Sequence, residues 1–252
     1  MEFYEYHTLY ELEDTYWWFQ HLHAVLVDNM CSLAASSESL ILDVGCGTGQ
    51  NIQNLVAGIS PKVFGFDLSP HANPFWHKRN LNQVCNASVN RIPFPENTFD
   101  FVVCIDVLEC EGVSEELAVS EMWRVARWGG YVILVVPAYD WLLTPEHHQA
   151  VHAIRRYTKT RLSALLARYM IQVRRITYIY TSVFPAVVLY RLMLKAFKNY
   201  AVGKPRSELK PLPTWVNRTL LAIVHLERKL IKYIDMPFGS TIVAIAKKTG
   251  ER

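Results

Sequence analysis

The sequence predicts an α/β fold: a mainly parallel sheet of seven strands with helices on both faces, an N-terminal helical cap and a helical insertion before the last strand. Three observations carry this expectation. Short apolar runs alternate with helical segments through the middle of the chain, a glycine-rich turn joins the first run to a helix, and two late strand-like runs bracket the long stretch Thr181–Gly239.

The elements follow in order. The aromatic cluster Tyr16, Trp17, Trp18 and Phe19 leads into a helix expected over Phe19–Leu33. After "ASSES" come five runs that read as strands: Leu40–Val44, Lys62–Asp67, Gln83–Ala87, Phe99–Ile105 and Tyr131–Pro137. Each is short and nearly continuous in hydrophobicity, as strands covered on both faces must be. Gly49–Ala57 and Glu115–Arg127 read as helices between them. Beyond the polar segment "TPEHHQAVHAIRRYT", Leu162, Leu165, Leu166 and Tyr169 recur at helical spacing behind a Thr158 or Thr160 cap. Gln172–Tyr180 alternates like a strand, and Ser240–Lys248 is the last one. The expected organisation is a cap (1–38), a core (39–180), an insertion (181–239) and a final core strand (240–252), all in one domain. A connection as long as the insertion implies a purpose of its own.

Composition narrows the function. With 252 residues, 51% hydrophobic and 19% charged, the chain is too apolar to be disordered, and a net charge of +3 argues against a general nucleic-acid binder. Five cysteines without a CxxC pair read as small buried residues in a reducing compartment. The acidic, aromatic start lacks the basic and apolar regions of a signal peptide, and Arg191 and Lys195 interrupt the longest apolar stretch, so the expected location is cytoplasmic with no membrane span. The charge is uneven: Ser182–Ile234 holds ten basic residues against two acidic ones. Its apolar positions Val187, Tyr190, Leu194 and Phe197 fit an amphipathic helix. Such a segment either packs as a cap with a solvated basic face, covers a hydrophobic substrate, or lies on an anionic membrane.

"LILDVGCGTGQN" is the stretch richest in chemistry. Gly45, Gly47 and Gly49 permit a tight strand-to-helix turn and close approach of a ligand to the backbone. Asp67 ends the next strand, 22 residues beyond Gly45, where a carboxylate can accept hydrogen bonds from both hydroxyls of a ribose. The pattern is Rossmann-like, and both NAD and S-adenosylmethionine fit it. Gln50 stands where a dinucleotide fingerprint wants its final glycine, which weakens the NAD reading without removing it.

"LILDVGCGTG", "VFGFDLSP", "NRIPFPENTFDFVVCIDVLEC" and "EMWRVARWGGYVILVVP" together resemble, in order and spacing, the class I S-adenosylmethionine-dependent methyltransferases, over about Tyr16–Pro137. The "YWWF", "RRYT" and "PFGSTIVAIAKK" segments are similar to a small-molecule, type 11-like subgroup. The resemblance implies S-adenosyl-L-methionine as cofactor. Gly45, Gly47 and Gly49 would then line its methionine part, Asp43 would place the ammonium, Asp67 would hold the ribose and Leu68 would pack on adenine. Ser88, standing where relatives carry an Asp, and the Val89 backbone would meet the adenine amino group. Ile105, Asp106 and Val107 would pass beside the sulfonium. Cys110 stands where relatives often have a histidine. Trp18, with its aromatic neighbours, is either a lid over the cofactor or a staple for the first helix.

His148 and His152 are four apart, as in a helical zinc site, with His147 and Glu146 nearby. Methyl transfer needs no metal, however, and none is expected. The segment follows the fifth strand's carboxyl end, where ligands of open α/β sheets bind, so it is expected to wall the acceptor pocket. His147 or His148 is the candidate base, because an imidazole titrates near neutrality. Tyr139, His152 and Tyr157 would shape the pocket, and Arg155 and Arg156 would clamp an oxyanion on an anionic or hydrophobic small-molecule substrate. Against a methyltransferase stand two alternatives, a non-catalytic cofactor- or partner-binding protein of the same fold and an NAD-dependent oxidoreductase.

Overall fold

The computed structural model describes residues 1–144, 148, 150–169, 171–196 and 209–249. Seven strands form one sheet: β1 (Ile41–Val44), β2 (Val63–Asp67), β3 (Val84–Asn86), β4 (Phe99–Ile105), β5 (Ala126–Pro137), β6 (Gln172–Ile179) and β7 (Thr241–Lys247). Their order is β3-β2-β1-β4-β5-β7-β6. All neighbours are parallel except β7, which runs antiparallel to both β5 and β6. The helices are α1 (Phe3–Leu12), α2 (Trp17–Ser32), α3 (Gln50–Gly58), α4 (Asn73–Lys78), α5 (Glu115–Val125), α6 (Lys159–Ala167), α7 (Phe184–Ala196) and α8 (Thr214–Ile231).

The apolar runs became the sheet's centre. Every residue of β1 is buried, as are Phe101–Cys104 of β4 and Val132–Pro137 of β5. A fully buried Val, Leu or Ile contributes about 1.5–3 kcal/mol, so these three strands dominate the core. β5 starts at Ala126, five residues before the expected Tyr131, and α5 correspondingly stops at Val125. Lys248 explains the stop. Its buried Nζ donates to the carbonyls of Trp123 (2.7 Å) and Ala126 (2.8 Å), satisfying groups the helix end leaves open.

The insertion between β6 and β7 contains α7 and α8. Glu227 of α8 anchors it, accepting the backbone N–H groups of Thr181 (3.1 Å) and Ser182 (2.7 Å). Arg228 binds Asp28 of α2 through two hydrogen bonds of 2.6 and 2.7 Å. α8 therefore packs on α2. Val187 of the expected α7 stripe is half-buried and Tyr190 exposed, while Phe197 and the Leu194 side chain lie outside the described part.

Candidate active site

Strand register assembles the site. Val44 pairs with Phe66 on one side and Cys104 on the other, so Gly45, Asp67 and Ile105 leave the sheet side by side at its carboxyl edge. Gly45, Gly47 and Gly49 have φ of 74°, 53° and 87°, the left-handed region that only glycine adopts cheaply. A Cβ on Gly45 would lie 2.3 Å from Val107 Cγ2, so this glycine lets the loops after β1 and β4 close on each other. A Cβ on Gly47 would meet nothing within 4 Å, so its edge of the turn faces open space.

Two carboxyls flank the turn. Asp43 is 1% exposed and its Oδ2 has no hydrogen-bond partner among the described residues. Burial pushes its carboxyl up to about 7, the neighbouring Asn51 side chain pulling it down and the Asp67 charge adding to the rise. Asp67 Oδ2 accepts the Gly47 N–H at 3.0 Å, and its Oδ1 accepts the Ser69 N–H at 3.0 Å and the Tyr6 hydroxyl at 2.9 Å.

Tyr6 belongs to α1, a helix absent from the sequence-based expectations. It is 2% exposed, and its ring stacks on Phe75. A latch holds the far end of α1: Glu13 Oε1 accepts from Arg79 Nη2 at 2.8 Å and from the Thr48 hydroxyl within the glycine turn. The signal was present as Tyr6, Tyr10 and Glu13, one helical face by spacing. Trp18 stacks on Tyr180 at 3.8 Å and accepts that tyrosine's hydroxyl on its carbonyl at 2.7 Å. This contact fixes the start of α2.

Leu68 is 68% exposed, Ser88 is half-buried, and Val89 is buried beside it. Ile105 is half-buried, Val107 abuts the glycine turn, and Asp106 is solvent-accessible with φ 51°. Asp106 and Glu109 form a carboxyl pair. Desolvation raises both, and the Arg156 charge opposes the rise.

The histidine segment is only partly in place. His147 and Glu146 lie outside the described residues. His148 is exposed, and its Nδ1 lies 2.9 Å from the Ala153 carbonyl. A carbonyl only accepts, so Nδ1 carries a hydrogen, which leaves Nε2 as the accepting nitrogen of the neutral ring. His152 turns away to Glu2, 3.0 Å from its Oε1. Tyr139, at φ 60°, stacks on Tyr178 with ring centres 5.6 Å apart.

The arginines and Tyr157 are engaged within the chain. Arg155 pairs with Glu115 at 3.3 Å, and the Arg156 guanidinium is buried near Asp106 and Glu109. Tyr157 is fully buried, its hydroxyl donating to the Leu108 carbonyl at 3.1 Å. These three side chains are therefore held by other parts of the chain, where the sequence alone offered them to substrate. No group of three or more His, Cys, Asp or Glu among the described residues could hold a metal ion.

The sheet order with its antiparallel β7, and the glycine turn flanked by the Asp43 and Asp67 carboxyls, give the Rossmann-like fold that solved methyltransferase structures share. Residues 42–134, from β1 into β5, match a family model described as a methyltransferase domain. The chain is 27% identical over 138 residues to 24-methylenesterol C-methyltransferase 2 of Oryza sativa, which covers 49% of this chain and 37% of that one. It is 34% identical over 107 residues to the uncharacterized protein MJ0638 of Methanocaldococcus jannaschii, covering 42% of this chain and 44% of that one. The chain thus spans less than half the length of these relatives. Its fold matches geranyl diphosphate C-methyltransferase from Streptomyces coelicolor with a TM-score of 0.56 at 12% identity, over 92% of this chain and 82% of that one.

Proposed function

We propose that this chain is an S-adenosylmethionine-dependent methyltransferase acting on a small-molecule acceptor of glycan, lipid-linked or natural-product type. One observation carries the reading: the turn from β1 to α3 sets a buried, unpartnered carboxyl oxygen of Asp43 and the open edge of Gly47 beside the Asp67 carboxylate. These residues fit the cofactor. Asp43 would hold the ammonium on its orphaned oxygen, Asp67 would accept from the ribose, and the bare Gly47 backbone would leave room for the methionine part.

When bound, S-adenosylmethionine supplies the electrophilic methyl on a sulfonium. The chain's residues supply alignment. Asp43 and Asp67 would hold two ends of the ligand, and the loop at Ile105–Val107 would border its middle. His148 Nε2, with its tautomer set by the Ala153 carbonyl, is the proton acceptor for a hydroxyl or ammonium nucleophile, and His147 is the second candidate. The aromatic wall of Tyr139, Trp141 and Phe184 favours an acceptor with apolar surface.

Calorimetry with S-adenosylhomocysteine, with NAD as the comparison ligand, tests the cofactor. Binding of the first and not the second is expected. Asp67→Ala should weaken it about 100-fold, the loss of two hydrogen bonds to a charged group. Methyl transfer to an acceptor panel then tests turnover. Cofactor binding with no product would leave a non-catalytic binder of the same fold, and NAD binding alone would replace the assignment with an oxidoreductase.

A further inference from the structure

α8 buries one stripe and carries a second apolar stripe on its opposite side. Val224, Glu227 and Ile231 face inward. Trp215, Leu226 and Leu230 return to one outward line by helical spacing and are 73%, 63% and 55% exposed, and Tyr233, in the turn just past the helix, is 86% exposed. Isolated exposed apolar residues need no explanation, but an aligned stripe of this kind marks an interaction surface.

Charge says what the surface fits. Glu227 is the only acid in α8, and it is buried and bonded to Thr181 and Ser182. Arg218 and Lys229 flank the stripe on one side, exposed and without an ion pair among the described residues. Trp215 and Tyr233 stand at the two ends of the helix, and these side chains favour the boundary between headgroups and acyl chains. No helix of the described residues is long and apolar enough to cross a membrane. A helix so built lies in the interface plane instead.

We propose that the outward face of α8 docks the protein on an anionic lipid bilayer, with Trp215, Leu226, Leu230 and Tyr233 inserted at the acyl boundary and Arg218 and Lys229 against lipid phosphates. A second copy of the chain is the poorer occupant, because pairing two such stripes brings two cationic rims together. The proposal rests on α8's own surface and is independent of methyl transfer.

Flotation of the full chain with phosphatidylcholine vesicles, with and without phosphatidylglycerol, tests it. Binding should require the anionic lipid and weaken as salt is raised. Arg218→Gln with Lys229→Gln should lower the partition coefficient about 25-fold, roughly fivefold for each cation. Trp215→Ser, Leu226→Ser and Tyr233→Ser together should abolish flotation, with unchanged circular dichroism and S-adenosylhomocysteine affinity showing that the fold persists. Absence of flotation with anionic vesicles, or equal flotation of both variants, would overturn the proposal. So would a wild-type dimer, seen by sedimentation velocity, that the serine variant converts to monomer.

Discussion

The Tyr6 hydroxyl donates to Asp67 Oδ1 at 2.9 Å, joining the first helix to the strand-end carboxylate proposed to hold a ribose. Burial and the Asp67 charge keep the phenol neutral, so it remains a donor. Asp67 also accepts from Gly47 and Ser69, which leaves too few lone pairs for two ribose hydroxyls unless Tyr6 withdraws. Tyr6→Phe should therefore tighten S-adenosylhomocysteine binding by about fivefold, the worth of one competing hydrogen bond. Weaker binding in calorimetry would show that the hydroxyl stays and closes over the ligand.

Asp43 makes the glycine turn sensitive to pH. Its folded-state pKa, about 7, lies above the usual carboxylate value, so the folded chain holds a proton that the unfolded chain has released. Its contribution is full below the unfolded pKa and is lost as pH rises through about 7. Asp43→Asn should be more stable than wild type at pH 8, by on the order of 2 kcal/mol in urea titrations, and indistinguishable near pH 4. A bound ammonium reverses the preference, so wild-type affinity for S-adenosylhomocysteine should climb up to tenfold per pH unit below 7 and level off above it. Calorimetry in two buffers of different ionisation enthalpy would register the released proton. A flat affinity profile would separate Asp43 from the ligand's ammonium.

The sheet was legible because its information is local. The central strands β1, β4 and β5 are runs rich in Val, Ile, Leu or Phe, and the glycine turn is legible because its left-handed backbone restricts residue type. The helical spacing of Tyr6, Tyr10 and Glu13 marks a face of α1 but not its role, because that face meets Asp67, Phe75, Thr48 and Arg79, all distant in the chain. The same cause redirected Arg155 and Arg156. In the sequence they are two cations near an expected pocket; folded, Glu115 engages one, and Asp106 with Glu109 surrounds the other.

His21 should govern the acid side of stability. It is fully buried beside the Tyr180 ring, and neither ring nitrogen has a hydrogen-bond partner among the described residues. Burial lowers its pKa to about 3, with the charges of His225 and Arg228 adding to the effect. The unfolded chain therefore binds a proton that the folded chain refuses, and stability present above pH 6.5 is lost as pH falls toward 3. His21→Phe keeps an aromatic contact and removes the titration. Urea midpoints of this variant should change less between pH 7 and pH 5 than those of wild type. An equal fall in both would place the acid sensitivity elsewhere.

Glu13 and Arg79 should couple cap stability to the cofactor turn. Their side chains are 9% and 6% exposed, and the Glu13 oxygen that accepts from Arg79 at 2.8 Å also takes the Thr48 hydroxyl. Removing one member of a buried pair strands the other, at about 3–5 kcal/mol. Arg79 keeps Asp14 at 3.3 Å and the Gln53 side chain, so Glu13→Ala should fall below that range, at about 2 kcal/mol by urea unfolding. The loss should be local as well as global. Hydrogen exchange over Phe3–Leu12 should accelerate more than over β4, because α1 is held by the latch and the Tyr6 contact while β4 is held by the sheet. Uniform acceleration across both segments would mean that the pair supports the whole fold and that α1 does not open on its own.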